Sequence, residues 1–191
     1  MASEHEHCFE PTDRNPASHM TRRVATPGEL RNSRRRSQHG CWGQLIVAPL
    51  WVAYSANLGT LLRTCDAVGA CLAVPDSPHY RDALRTGNTL GRRQPCLHRA
   101  RPNREAWIEA MRAEGWRIVA VELAEGAIAL PRLQPARQPT IVLLGHEHNG
   151  VPPAIVEQAD ECVEIPMCGV GASLNVAVSG SLVLYRLAGL S

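Results

Sequence analysis

Three short stretches of this 191-residue chain hold residue types that could do chemistry. One is the loop Gly145-His146-Glu147-His148-Asn149-Gly150-Val151-Pro152, in which a carboxylate stands between two imidazoles. A glycine at its start lets backbone approach a ligand closely. On an extended loop His146 and His148 point to opposite sides, which disfavours chelation of one metal, and the helical HExxH zinc spacing is absent. Another is Ile165-Pro166-Met167-Cys168-Gly169-Val170-Gly171-Ala172-Ser173-Leu174-Asn175-Val176, a glycine-rich turn with Ser173 placed to cap a following helix. It has neither GxGxxG nor GxxxxGK[ST] spacing, so it disfavours a nucleotide-phosphate cradle. The last is Asn57-Leu58-Gly59-Thr60-Leu61-Leu62-Arg63-Thr64. There Asn57 can cap a helix. Arg63 sits amid apolar neighbours, where a part-buried guanidinium wants an anion or a cluster of acceptors.

These stretches need elements to position them. The hydrophobic pattern predicts strands at 44–50, 70–74, 117–121, 140–144 and 162–165. It predicts helices from Asn57 to Gly69, from Asn103 to Gly115, over 152–159, and from about Ser173 to Ala188. Strands alternating with helices imply an α/β fold with a parallel sheet flanked by helices on both faces. Ligands in such sheets bind beyond the carboxyl ends of the strands, where all three stretches fall. Residues 1–39 lack apolar periodicity and read as a flexible Arg/His-rich arm, with at most one short helix near Pro27–Arg36. His5 and His7 alternate with Glu in that arm, a pattern suited to adventitious rather than built metal binding.

Composition narrows the classes. No apolar run reaches the roughly 18 residues that cross a bilayer, and the first thirty residues hold no signal-peptide stretch, so the expectation is a soluble, cytoplasmic protein without membrane contact. The seven cysteines (8, 41, 65, 71, 96, 162, 168) form no CxxC pair or zinc-like grouping, which argues for reduced thiols. Net charge is +2, and every one of the 20 basic residues is Arg. Four lie in 31–36, and seven lie in 81–104 against one Asp. Such patches suit phosphate binding, although a solvated arginine face would look the same.

Taken together, Asn-x-Gly-x-x-x-Arg at 57–63, Leu-Gly-x-Glu-x-x-Gly at 144–150, Ile-Pro-Met at 165–167 and Ser-Leu-Asn-Val at 173–176 resemble the SpoU branch of the SPOUT RNA methyltransferases. The likeness covers roughly 42–189 and is closest to the tRNA guanosine 2′-O-methyltransferase group, whose connecting loop 121–130 also resembles. It implies a methyltransferase domain over 40–191, a C-terminal deep trefoil knot, a homodimer and S-adenosyl-L-methionine as cofactor, with no metal. By position, the resemblance implies cofactor contacts at Val121, Gly145, Ile165, Met167 and Leu174. It also implies methyl transfer to a ribose 2′-hydroxyl of RNA, tRNA ahead of rRNA. Arg63 would bind the neighbouring phosphate and stabilise the developing alkoxide, literal proton abstraction being left open, while Asn57, Glu147, Ser173 and Asn175 orient it and the ribose. The chain departs from the family pattern at His148 and at Ala177. A catalytically silent RNA-binding relative and an α/β enzyme for another nucleotide are the alternative classes. Retention of the four polar residues beside Arg63 speaks against the former, and the lack of a phosphate loop against the latter.

Overall fold

The computed structural model describes residues 44–90 and 95–190, together with Thr26. The arm at 1–39, its expected short helix and the Arg31–Arg36 cluster lie outside the described residues, Thr26 apart.

Four strands of unbroken aliphatic character build the centre: β1 (Leu45–Ala48), β2 (Cys71–Pro75), β4 (Arg117–Val121) and β6 (Thr140–Leu144). They join β3 (Leu97–Ala100), β5 (Ile128–Ala129) and β7 (Glu161–Glu164) in a seven-stranded sheet. The order is β3-β2-β1-β6-β4-β7-β5, every pairing parallel. Side chains alternate across the pleat, so both faces of a central strand need cover. Leu45, Val47, Val142 and Leu144 pack on one face with helices α1 (Ser55–Val68), α2 (Pro78–Gly87) and α5 (Val176–Leu187). Ile46, Ala48, Ile141 and Leu143 pack on the other with α3 (Arg104–Ala113) and α4 (Pro153–Gln158). The expected architecture is therefore present.

Two details position the site. β7 lies between β4 and β5, which are consecutive in the chain, so a late segment occupies the gap between two earlier ones. The connection after β5 is then tied across the end of α5: Arg186 donates from Nε to the Leu133 carbonyl (2.6 Å) and from Nη2 to that of Pro131 (2.9 Å). Leu133 is fully buried there.

Some elements differ from the periodicity reading. β3 and α2 were not expected: β3 is a short strand whose Leu-His-Arg-Ala is only partly buried, and α2 buries just Tyr80, Ala83 and Leu84. The last helix begins at Val176 rather than Ser173. Asn175 is its cap, its Oδ1 accepting the N–H groups of Ala177 (2.9 Å) and Val178 (3.3 Å) and so satisfying two orphan donors.

Candidate active site

The carboxyl ends of β6, β4 and β7 lie side by side, Leu144 opposite Val121 and Val121 opposite Val163. The loop leaving β6 folds back at once. His146 and Gly150 exchange both backbone hydrogen bonds at 2.9 Å, with Gly150 at φ +67°. A Cβ on Gly145 would lie 2.0 Å from the Gly150 carbonyl carbon, so only glycine lets the loop close. Glu122, the residue after β4, fastens it from below: its carboxylate accepts the N–H groups of Val151 (2.8 Å) and Leu123 (3.0 Å).

This closed loop presents Glu147 to the segment after β1. One carboxylate oxygen accepts the Ala53 N–H (3.0 Å); the other accepts the Tyr54 N–H (3.0 Å) and the Asn57 amide (2.6 Å). Asn57 Oδ1 accepts in turn from Asn175 Nδ2 (3.1 Å), and Asn175 Oδ1 caps α5. A continuous line of hydrogen bonds thus runs from the strand-end loop, through the start of α1, to the start of α5. Burial works to raise the Glu147 carboxyl, but the N–H groups of Ala53 and Tyr54 and the Asn57 amide outweigh it and hold the group below the usual carboxylate range. Glu147 is therefore a committed acceptor rather than a proton carrier. Asn57 and Asn175 each use one amide N–H in the network; an amide has two, so one on each is left for a ligand oxygen. Tyr80 supports the same segment from α2, its hydroxyl 2.9 Å from the carbonyl oxygens of both Leu50 and Val52.

The other expected site residues stand apart from this line. Arg63 is exposed, not part-buried, and donates from Nη1 to the Thr89 hydroxyl at 2.7 Å. Six residues along a helix carry it roughly 9 Å from Asn57 and about 120° around the axis. It shares a face with Gly59, where a Cβ would lie 2.9 Å from the Gly87 carbonyl, so close contact with the end of α2 brings Thr89 within reach. Among the described residues Arg63 has no carboxylate partner, which leaves most of its donor fork for an anion. Ser173 is exposed in the lead-in to α5, and its side chain makes no hydrogen bond among the described residues. Of the residues the resemblance assigns to the cofactor, Gly145 is buried, Val121 and Ile165 are half-buried, and Met167 and Leu174 are exposed at 38% and 39%. All five lie at or beyond the carboxyl ends of β4, β6 and β7. Glu122, Tyr54 and Thr89 were missed by the sequence reading; for Glu122 the available signal was a carboxylate directly after a buried strand.

Two further expectations change. Cys71 is disulfide-bonded, so the thiols are not uniformly reduced; Cys65, Cys96, Cys162 and Cys168 are free. Strand pairing also brings ligand atoms of Cys71, Cys96 and His98 within 4.8 Å of one another, a grouping invisible in the spacing, but the Cys71 sulfur is engaged in its disulfide. Nor is the 81–104 patch simply a bare arginine surface: Arg81 and Arg101 both pair with Asp76, and Arg85 pairs with Asp82.

A parallel sheet with a polar network and glycine-closed, apolar loops at its carboxyl edge, and no phosphate loop, defines an α/β protein built to hold a small non-phosphorylated ligand. The chain belongs to the SpoU rRNA Methylase family, matched over residues 44–185. It is similar to the mouse tRNA (guanosine(18)-2'-O)-methyltransferase TARBP1, 32% identical over 147 residues, which cover 75% of this chain and 9% of that one. The Aquifex aeolicus tRNA (guanosine(18)-2'-O)-methyltransferase is 32% identical over 143 residues, 74% of this chain and 67% of the relative. Among solved structures, an AdoMet-bound rRNA methyltransferase from Sinorhizobium meliloti superposes with a TM-score of 0.64 at 30% identity, covering 76% of this chain and 56% of that one. The chain thus spans only part of the length of some of its relatives.

Proposed function

We propose that this chain transfers the methyl group of S-adenosyl-L-methionine to a ribose 2′-hydroxyl of RNA, with tRNA ahead of rRNA. The observation that carries the reading is the Glu147–Asn57–Asn175 line, which joins the three motif stretches at the edge where the apolar loops end. The donor set suits this cofactor. Gly145 leaves no side chain against its own loop, so backbone groups stand at the strand end; exposed Met167 and Leu174 offer apolar cover; and a molecule without phosphate needs no cradle.

When bound, the cofactor supplies an already activated, cationic methyl donor. The chain's own residues have then to align the hydroxyl oxygen with that methyl and stabilise charge as its proton leaves; positioning of this kind lowers barriers by at most about 7–11 kcal/mol. The spare N–H groups of Asn57 and Asn175 can orient the ribose, with Ser173 beside them in sequence. Arg63, free of any carboxylate, binds the adjacent phosphate and the developing alkoxide. Its ordinary pKa above about 12 favours this electrostatic role over proton abstraction. Glu147 holds the loops in place.

The remaining parts of the reading have their own support. A trefoil knot is supported by the insertion of β7 between β4 and β5 and by the ties from Arg186 to Pro131 and Leu133. A homodimer is supported by Val178, Leu182 and Tyr185, exposed at 45%, 42% and 38% and spaced along one face of α5. Residues 1–39 form an arm ahead of a 40–191 catalytic domain. The protein works in the cytoplasm without a resident metal; no helix among the described residues is long and apolar enough to cross a membrane.

The test is transfer of labelled methyl from the cofactor to total tRNA and to rRNA, with mapping of nuclease-resistant 2′-O-methyl positions. Thermal shifts with S-adenosyl-L-methionine, its demethylated product, NAD and ATP accompany it. Labelled tRNA and stabilisation by the methyl donor are expected; stabilisation by NAD or ATP alone would overturn the reading.

A further inference from the structure

We propose that Tyr54 and His148 form the surface on which the base of the target nucleotide rests. This inference depends on the RNA methyltransferase reading above and adds to it the residues that face the base.

The chain has only eight aromatic residues (four Trp, three Tyr, one Phe), so a Tyr left 54% exposed at the site is a costly use of one. Tyr54 is not loose. Its backbone N–H is held by Glu147, and its hydroxyl lies 3.2 Å from His148 Nε2. The two rings meet edge-on, centroids 6.2 Å apart at 84°. His148 is fixed in turn, its N–H donating to His146 Nδ1 at 3.1 Å, with the two imidazoles 5.7 Å apart. Three planar rings therefore flank Glu147, mounted on a loop that Gly145, Gly150 and Glu122 keep closed. Both Tyr54 and His148 are exposed, while the neighbouring Asn57 is buried at the base of the site.

RNA-binding sites splay bases out of the stack and lay them on Tyr, Phe, Trp or His. A ribose oriented by Asn57 and Asn175 carries its base outward, and the rigid rings beside Glu147 are where a π-face meets it. The same geometry explains how His148, a departure from the family pattern, can be used here: as a partner that fixes the Tyr54 ring and extends its surface.

The experiment compares wild type with Tyr54→Ala, Tyr54→Phe and His148→Ala, measuring filter binding of tRNA, kcat and KM for RNA, cofactor Kd and oligomeric state. The main-chain bond from residue 54 to Glu147 survives every substitution. Loss of one stacked base weakens RNA binding and raises KM by about 5- to 150-fold in Tyr54→Ala. His148→Ala should show a smaller rise, and Tyr54→Phe, which keeps the ring, should stay within about threefold of wild type by the same scale. Cofactor Kd should not move. Alanine variants that bind and methylate RNA like wild type would overturn the surface, as would variants that change oligomeric state and lose RNA only for that reason. Wild type that neither binds nor methylates RNA would instead sink the functional reading itself.

Discussion

Asn57 and Arg63 stand on the same helix and belong to the same motif, yet the fold treats them in opposite ways. Asn57 is buried, and both ends of its amide are engaged, one by Glu147 and one by Asn175. Arg63 is exposed and holds a single neutral partner, the Thr89 hydroxyl. A satisfied, buried polar line rigidifies the segments it joins, because breaking any link leaves unpaired donors. A charged fork with spare donors does nothing for the fold and is ready for an anion. The site thus divides into a frame that sets geometry and a working group that meets the substrate, and substitutions can pull the two apart.

The largest effect is expected at Arg63. Arg63→Ala should lower kcat by roughly 10²–10³, the cost of removing one preorganised electrostatic donor. Melting temperature and cofactor Kd should stay at wild-type values, because only the Thr89 contact is lost. A variant that methylates at the wild-type rate would remove Arg63 from the chemistry. One that melts early would place it in the frame and dissolve the comparison.

Glu147→Ala should do the reverse, acting first on stability. It strips acceptors from the Ala53 and Tyr54 N–H groups and from the Asn57 amide, each left to partial burial. The expected cost is about 2–3 kcal/mol, with cofactor affinity and kcat falling together as the loops separate. Chemical denaturation beside cofactor titration reads it. A fully stable but inactive Glu147→Ala protein would move the carboxylate from frame to working group.

How much of this division could be read from sequence depends on the residue. The buried central strands were legible because a run such as Thr-Ile-Val-Leu-Leu at 140–144 has no other stable home, and both it and 117–121 match the structure end to end. β3 and α2 were not, since Leu-His-Arg-Ala and Pro-His-Tyr-Arg-Asp-Ala-Leu-Arg-Thr-Gly carry too few apolar residues for either period to show. Asn57 and Glu147 are 90 residues apart, and no local pattern pairs them; only the resemblance put them in one site. The exposure of Arg63 was within reach. The spacing that puts Leu58, Leu61, Leu62, Cys65 and Val68 on the buried face of α1 leaves position 63 outside it. Ser173 looked like the cap because it precedes the periodic run, but Asn175, two residues on, accepts two N–H groups and displaces it.

Acid offers the smallest and most selective test. The Glu147 carboxyl is held below its unfolded value, so the folded state binds fewer protons at that group than the unfolded state does. Its contribution to stability is then complete above the unfolded value of about 4.3 and is lost as pH falls from there through the folded one. Glu147→Gln keeps the shape and cannot ionise. Its melting temperature should lie below that of wild type at pH 7, by a few degrees for about 1 kcal/mol, and the gap should close between pH 5 and pH 3. Other carboxylates titrate in both proteins and cancel in the difference. Arg63→Ala, compared in the same way, should show no pH-dependent gap, because a guanidinium does not titrate in this range. A Glu147→Gln gap that persists unchanged to pH 3 would mean that the hydrogen bonds to Ala53, Tyr54 and Asn57 need no charge, and that the frame is held by shape alone.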